Sequence, residues 1–410
     1  MLRDYQLEIA KKGVEILTNN NLVYLAMEVR TGKTITSLEI AKLYGANNVL
    51  FLTKKKAIKS ILSDYNKFGY TFNINVINNE SLHLDKGNYD LIISDEHHRC
   101  GTYPKPNKVT KLIKQRFLTL PMIFLSGTPH PESFSQIYHQ FWVSAYSPFK
   151  QWNTFYKFAS VFVNITQKNF GYAKVNDYSN CNYDKIKPFM ENLFITYTQQ
   201  QAGFTTEVKE NILRVKMSDY IYSLIERLKK DKVVQGKNEV ILADTSVKLL
   251  SKLHQLYSGT VKFESGETMV IDNSKAIYIK DKFKDKIAIF YKFKAEYYAL
   301  KTIYGNELTE DLNEFNTTNK SIALQIVSGR EGISLSNAKY LVYYNIDFSS
   351  LSYWQSRDRL TTMNRLSNDI YWIFSENGIE DKIYKAVSNK KNYTLKIFEN
   401  DRATISKKNN

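Results

Sequence analysis

What most restricts the fold of this chain is a rhythm of short, uninterrupted apolar runs. Leu22 to Met27, Asn48 to Thr53, Tyr89 to Ser94 and Met122 to Ser126 are separated by segments long enough for helices. Runs of about four to six residues without polar alternation suit parallel strands covered on both faces, because such strands have no wet side. The series returns late, in Ile287 to Tyr291, Ile322 to Val327, Tyr340 to Asn345 and Ile370 to Phe374. Two tandem α/β halves, each a parallel sheet flanked by helices, are therefore expected. Between them Ser144 to Gln201 is rich in aromatic residues with little periodicity, and Ser218 to Leu256 reads as helical, with Tyr220, Leu224, Ile225 and Leu228 on one face. The expected division is an N-terminal unit over 1–205, a C-terminal unit over 206–400 that begins with the helical segment, and a flexible tail over 401–410. No tandem period or low-complexity block points to a repeat architecture.

At 410 residues both halves fit and little else does. A net charge of +16 favours a polyanionic partner over a merely Lys-rich, solvated surface. Cys100 and Cys181 lie far apart with no ligand-spaced His or Cys beside them, which supports neither a disulfide framework nor a zinc site and points to a reducing compartment. No apolar stretch approaches the roughly 20 residues that span a bilayer, and the start lacks the apolar core of a signal peptide. A cytoplasmic protein of a bacterium or an infected host is expected.

The first motif is Glu28-Val29-Arg30-Thr31-Gly32-Lys33-Thr34, directly after an apolar run and before the helix-like Ile35 to Leu43. In a strand, loop, helix of this kind backbone N–H groups cradle phosphates, a lysine such as Lys33 reaches the β and γ phosphates, and a hydroxyl such as that of Thr34 holds Mg²⁺. Met27 stands where the full phosphate-loop pattern has its first glycine. The second motif, Asp95-Glu96-His97-His98, ends an apolar strand in two carboxylates, one for Mg²⁺ and one to polarise an attacking water. Ser126-Gly127-Thr128-Pro129 ends the next strand, where ligands gather in open α/β sheets. In the second half a glycine-bearing loop, Ser328-Gly329-Arg330-Glu331-Gly332, follows a strand, and Gln355-Ser356-Arg357-Asp358-Arg359 offers arginines able to stabilise a phosphoryl-transfer transition state.

Taken together and in this order, the segments resemble the superfamily 2 helicases and translocases, most closely the Swi/Snf-type remodelling ATPases. Leu2 to Gln6 is similar to that family's adenine-contacting signature, Thr31 to Thr34 to motif I, Asp95 to His98 to motif II, and Ser126 to Pro129 to motif III. Ser328 to Leu335 and Gln355 to Arg359 look like motifs V and VI, while Ser251 to Gly259 and Ser274-Lys275 resemble segments that lead into the family's second core. The resemblance implies two RecA-like lobes, ATP with Mg²⁺, and a nucleic acid running across both. It gives Gln6 to adenine, Arg30, Thr31, Gly32, Lys33 and Thr34 to the phosphates, Thr34 and Asp95 to the metal, and Glu96 to the water. Gly329, Glu331 and Gly332 join the nucleotide set, and Gln355 and Arg359 complete it from the second lobe.

The chain departs from the family at Arg30, at His97, and at Thr362, where a second motif VI arginine belongs. Arg357 or Arg365 then substitutes, or hydrolysis is slow. For nucleic-acid contacts, Thr53 and Lys54 at a strand end, Arg99 after motif II, and Ser328 with Arg330 are the candidates, since phosphate tracking needs cations and hydroxyls. Trp142, Phe149, Trp152, Phe155 and Tyr156 are expected in a core more than as a base-stacking wedge. The leading function is an ATP-dependent, monomeric translocase on DNA, duplex favoured and single strands allowed, with protein partners for targeting and no membrane. A strand-separating or annealing helicase is the alternative within the class, and an ATP-gated clamp with little turnover the alternative outside it. The compact size and the Lys- and Asn-rich composition suit a phage or a small bacterial element.

Overall fold

The computed structural model describes residues 2–169, 174–236, 239–329, 333–362 and 365–389, and its two compact units divide between Phe204 and Thr205. The tail expected over 401–410 lies outside the described residues. In the first unit the elements run α1 (Asp4–Asn20), β1 (Leu22–Met27), α2 (Lys33–Tyr44), β2 (Asn48–Thr53), α3 (Ile58–Lys67), β3 (Asn73–Asn78), β4 (Leu91–Ser94), α4 (Lys108–Phe117) and β5 (Met122–Leu125). After β5 come α5 (Ile137–Trp142), α6 (Phe155–Phe162), the hairpin β6 (Thr166–Asn169) and β7 (Lys174–Asp177), α7 (Tyr183–Met190) and β8 (Phe194–Tyr197). Six strands form one parallel sheet in the order β3-β2-β4-β5-β1-β8. The apolar runs are buried on both faces because alternate residues enter different layers. Leu22, Tyr24, Leu50, Leu52 and Phe124 face one side, and Val23, Leu25, Val49, Phe51 and Leu125 the other. Phe149 and Phe155 close the first layer, and Trp152 packs edge-on to Phe162, so most of the aromatic segment is core; Tyr156 is half exposed.

The second unit repeats the plan. Its elements are β9 (Glu207–Val215), α8 (Asp219–Asp231), the hairpin β10 (Val233–Gln235) and β11 (Val240–Leu242), α9 (Ser246–Leu256), the hairpin β12 (Thr260–Lys262) and β13 (Thr268–Val270), and α10 (Ser274–Lys282). There follow β14 (Ile287–Tyr291), α11 (Lys294–Tyr304), β15 (Leu308–Thr309), α12 (Leu312–Thr317), β16 (Ser321–Gln325), α13 (Ile326–Gly329), β17 (Tyr340–Tyr343), α14 (Ser350–Arg357), β18 (Ser367–Ser375) and α15 (Glu380–Ser388). The sheet order is β15-β16-β14-β17-β18-β9, again parallel throughout. Two parallel six-stranded sheets flanked by helices bear out the two α/β halves expected from the apolar runs, and they fit the RecA-like lobes that the family resemblance implies.

Four strands of the two six-stranded sheets, β3, β8, β9 and β15, have no counterpart in those runs. β3 and β9 lie at sheet edges, where a strand needs no continuous apolar face, and β9 reads Glu207-Val-Lys-Glu-Asn-Ile-Leu-Arg-Val215. β8 forms the other edge of the first sheet. Tyr220 corrects the helical reading of α8: it is 59% exposed, and Ile221 takes its place beside Leu224, Ile225 and Leu228. On β9, Glu210 accepts hydrogen bonds from Tyr353, Trp372 and Tyr384 and pairs with Arg357 at 2.5 Å, tying α14 and α15 to the sheet.

Candidate nucleotide site in the first unit

β1, β4 and β5 end at one edge of the first sheet, and parallel pairing brings their C-terminal residues together. After β1 the chain turns through Arg30 at φ 65° and Gly32 at φ 86° before α2 begins at Lys33. Left-handed backbone at Gly32 suits a residue without Cβ, and a Cβ there would lie 2.1 Å from Gln6 Nε2. Gln6 accepts from the Arg3 N–H at 3.0 Å, and Tyr5 OH donates to the Thr31 carbonyl at 3.0 Å, so the start of α1 braces the loop. Gln199, just past β8, holds it from the other side: its N–H donates to Glu28 Oε2 at 2.7 Å and its Nε2 to the Val29 carbonyl at 3.0 Å. Tyr197 stacks on Tyr5 at 4.7 Å. Tyr5 lies in the segment that resembles the adenine-contacting signature, whereas Tyr197 and Gln199 have nothing near them in the chain that marks a ligand; only the placement of β8 beside β1 brings them in.

Lys33 Nζ donates to the carbonyls of Met27 (2.8 Å) and Glu28 (3.0 Å). Thr31 is buried, with its hydroxyl turned back to the Glu28 carbonyl at 2.7 Å, whereas Thr34 is half-buried on the first turn of α2. The loop of motif III lies over Lys33, since a Cβ on Gly127 would stand 3.6 Å from its Nζ.

At the end of β4, Asp95 Oδ1 accepts the Glu96 N–H at 2.9 Å and Oδ2 accepts the Thr53 hydroxyl at 2.9 Å. Burial, and then the neighbouring Glu96 charge, push the Asp95 carboxyl up to about 6, against the opposing pull of Thr53 and Lys33. Glu96 adopts φ 49°, a left-handed conformation costing a non-glycine residue roughly 1–2 kcal/mol. That turn brings its carboxylate to 3.3 Å from His98 Nδ1, which lies 2.9 Å from Ser126 Oγ. Ser126 Oγ also accepts the Thr128 N–H at 3.1 Å, so motif II and motif III are joined. His97 is structural: it stacks on Phe124 at 3.7 Å, lies within hydrogen-bond reach of Ser94 Oγ and the Gln140 carbonyl, and burial pushes it down to about 3.

Hard carboxylate and hydroxyl oxygens suit Mg²⁺, and the mutual repulsion of Asp95 and Glu96 is what a divalent ion would relieve. Among the described residues no group of three or more His, Cys, Asp or Glu side chains could hold a metal. Asp95 and Thr34, which the resemblance gives to the metal, are oxygen donors of the right kind, and phosphate and water would complete the shell of such an ion.

Other expected site residues stand elsewhere. Thr53 is fully buried against Asp95, so it belongs to the carboxylate and not to an outer phosphate-tracking surface. Arg99 is exposed and pairs with Glu80 at 3.3 Å, beside a cavity of about 360 Å³ whose walls include Asn79, Asp95, Glu96 and Lys108. Lys54 is half-buried at the turn after β2. In the second unit Gly329 is buried against Phe290 within α13; its missing side chain serves packing, and a Cβ would meet a ring carbon at 2.3 Å. Ser328 is half-buried beside it, and Arg330, Glu331 and Gly332 lie outside the described residues. Gln355 is buried on α14, and the buried Arg359 donates to the carbonyls of Gln355 (3.0 Å) and Ile333 (3.2 Å). Carbonyls of Ser367, Ser336, Ala338 and Lys339 cage Arg365 and engage its guanidinium within the second unit.

The chain is similar to the SWI2/SNF2 ATPase core of Sulfolobus solfataricus in complex with dsDNA, at 16% identity over 95% of this chain and 91% of that one, with a TM-score of 0.43. The same core domain solved alone gives 16% identity, 95% and 88% coverage, and a TM-score of 0.43. No protein-family model and no curated protein matches the sequence. No helix among the described residues is long and apolar enough to cross a membrane.

Proposed function

We propose that the chain is an ATP-dependent translocase that moves along DNA, with duplex favoured. The observation that carries this reading is the meeting of Lys33, Asp95, Glu96 and the His98–Ser126 pair at the ends of β1, β4 and β5. In it, Lys33 exchanges the carbonyls of Met27 and Glu28 for β and γ phosphate oxygens, and the N–H groups opening α2 face the same anion. Asp95 and Thr34 hold Mg²⁺, which when bound would neutralise charge developing on the phosphates. Glu96, turned by its left-handed backbone towards His98, takes a proton from the attacking water, and His98 passes the state of that carboxylate to Ser126. Gln6, braced against Gly32, reads adenine, while Gln355 and Arg359 keep the role that the family resemblance gives them. The net charge of +16 and the exposed Lys55, Lys59 and Arg99 support a polyanionic track.

A second reading, an ATP-gated clamp with little turnover, is favoured by the second unit's arginines: Thr362 stands where the family has an arginine, and the Arg365 guanidinium donates to the carbonyls of Ser336 and Ala338. One experiment separates the two. ATP turnover is measured without nucleic acid and with duplex DNA, single-stranded DNA or RNA, using Glu96→Gln as the control. Strong stimulation by duplex DNA supports the translocase, preference for single strands supports a helicase, and an RNA preference overturns the DNA assignment. Nucleotide binding without turnover in every condition supports the clamp.

A further inference from the structure

Thr53 closes β2 and, in the chain, opens the basic turn Lys54-Lys55-Lys56 that runs into α3. Its side chain points away from that turn. The hydroxyl donates to Asp95 Oδ2 at 2.9 Å, while the Thr53 carbonyl accepts Asn79 Nδ2 at 3.2 Å. β2 and β4 run in parallel register with Leu52 opposite Ser94, and the Asp95 N–H donates to the Leu52 carbonyl at 2.8 Å. The carboxylate is thus gripped through both oxygens, by Glu96 N–H on one and Thr53 on the other. A β-branched side chain has little χ1 freedom, so a shift of the Thr53 backbone must carry its hydroxyl with it. The exposed Lys55 stands on the turn that sets that backbone and the exposed Lys59 on the first turn of α3, while the Arg99–Glu80 pair borders the cavity whose wall contains Asp95.

We propose that Thr53 is a positioning residue through which nucleic acid held at the basic turn after β2 sets the orientation of the Asp95 carboxylate, and so the affinity for Mg²⁺-nucleotide. The inference rests on the DNA-dependent ATPase reading and adds its route of activation: ordering the turn fixes the Thr53 hydroxyl, and the hydroxyl fixes which Asp95 lone pairs face the metal.

The test uses the full chain and a fluorescent, non-hydrolysable ATP analogue in saturating Mg²⁺, with and without a duplex oligonucleotide, for the parent, Thr53→Val and Thr53→Ser. The expected result is that duplex tightens nucleotide binding by about fivefold or more in the parent, that Thr53→Ser, which keeps the donor but loses the β-branch, retains part of that factor, and that the factor falls close to one in Thr53→Val. Omitting Mg²⁺ should erase the difference between parent and Thr53→Val. Retention of the parent's factor by Thr53→Val, or absence of any DNA effect on affinity in the parent, overturns the inference; the translocase reading falls only if duplex also fails to stimulate turnover. If Thr53→Val does not fold, Asn79→Ala, which removes the hydrogen bond to the Thr53 carbonyl, should lower the factor, and an unchanged factor there overturns the inference.

Discussion

Lys33 Nζ donates to the carbonyl oxygens of Met27 at 2.8 Å and Glu28 at 3.0 Å, so the loop that would hold phosphate holds its own lysine instead. A phosphate oxygen can replace either carbonyl with a stronger, charge-assisted partner. Lys33→Ala should therefore weaken ATP-analogue binding about 10- to 100-fold, the loss expected for a hydrogen bond to a charged group. Calorimetric titration checks this; an unchanged affinity would place the nucleotide elsewhere.

Glu96 carries a different expectation, because its carboxylate lies against His98 at the motif II–motif III junction. Glu96→Gln should leave analogue affinity within a few fold of the parent while lowering turnover by roughly 10² to 10⁴. Equal loss of binding and turnover would make Glu96 structural.

Gly32→Ala puts a Cβ against Gln6 Nε2 on backbone at φ 86°. The left-handed conformation alone costs roughly 1–2 kcal/mol, and the contact adds to it. Comparing thermal transitions of Gly32→Ala, Gln6→Ala and the double variant separates the two contributions: removing Gln6 should recover the contact part only. Strictly additive losses would show that the contact has no energetic weight.

Arg365→Ala should destabilise the second unit by about 1–3 kcal/mol, because several carbonyls lose a shared charged donor. The readout is the thermal transition alongside turnover per folded molecule. A large fall in turnover with unchanged stability would mark Arg365 as a finger.

His139 and His254 are neutral in the fold. Burial pushes His139 down to about 4 and His254 well below 6.5. The unfolded chain therefore takes up protons first as pH falls, so stability is full above about 6.5 and is lost below it, by up to about 1.4 kcal/mol per pH unit for each histidine. Thermal transitions at about pH 7.5 and about pH 5 should differ less in His139→Gln and His254→Gln than in the parent. Equal differences in all three would place the acid sensitivity in other groups.

Much of the fold was legible because parallel strands buried on both faces must be uniformly apolar: β1, β2 and β14 follow their runs residue for residue. The edge strand β9 was not, since its polar residues pair along a single neighbour and need no apolar run. The residues that meet at the C-terminal ends of β1 and β4 were legible from short motifs that follow those strands, as at Lys33 and Asp95. Gln199 and Tyr197 were hidden because they carry no local signature and come to the loop only through strand neighbours.

Thr53 marks the division most sharply. Its residue type and its place beside three lysines follow from sequence, and both suit a phosphate contact. Which way its side chain points was decided by register: parallel pairing of β2 with β4 sets Thr53 beside Asp95, where a buried carboxylate needs a donor more than solvent needs a hydroxyl. Two parallel α/β sheets and the chemistry at their strand ends follow from the order of residues alone, because periodicity and short motifs are local. Which arginines are engaged by their own unit, and which hydroxyl orients the carboxylate, were settled in three dimensions, because those depend on partners that folding brings from far along the chain.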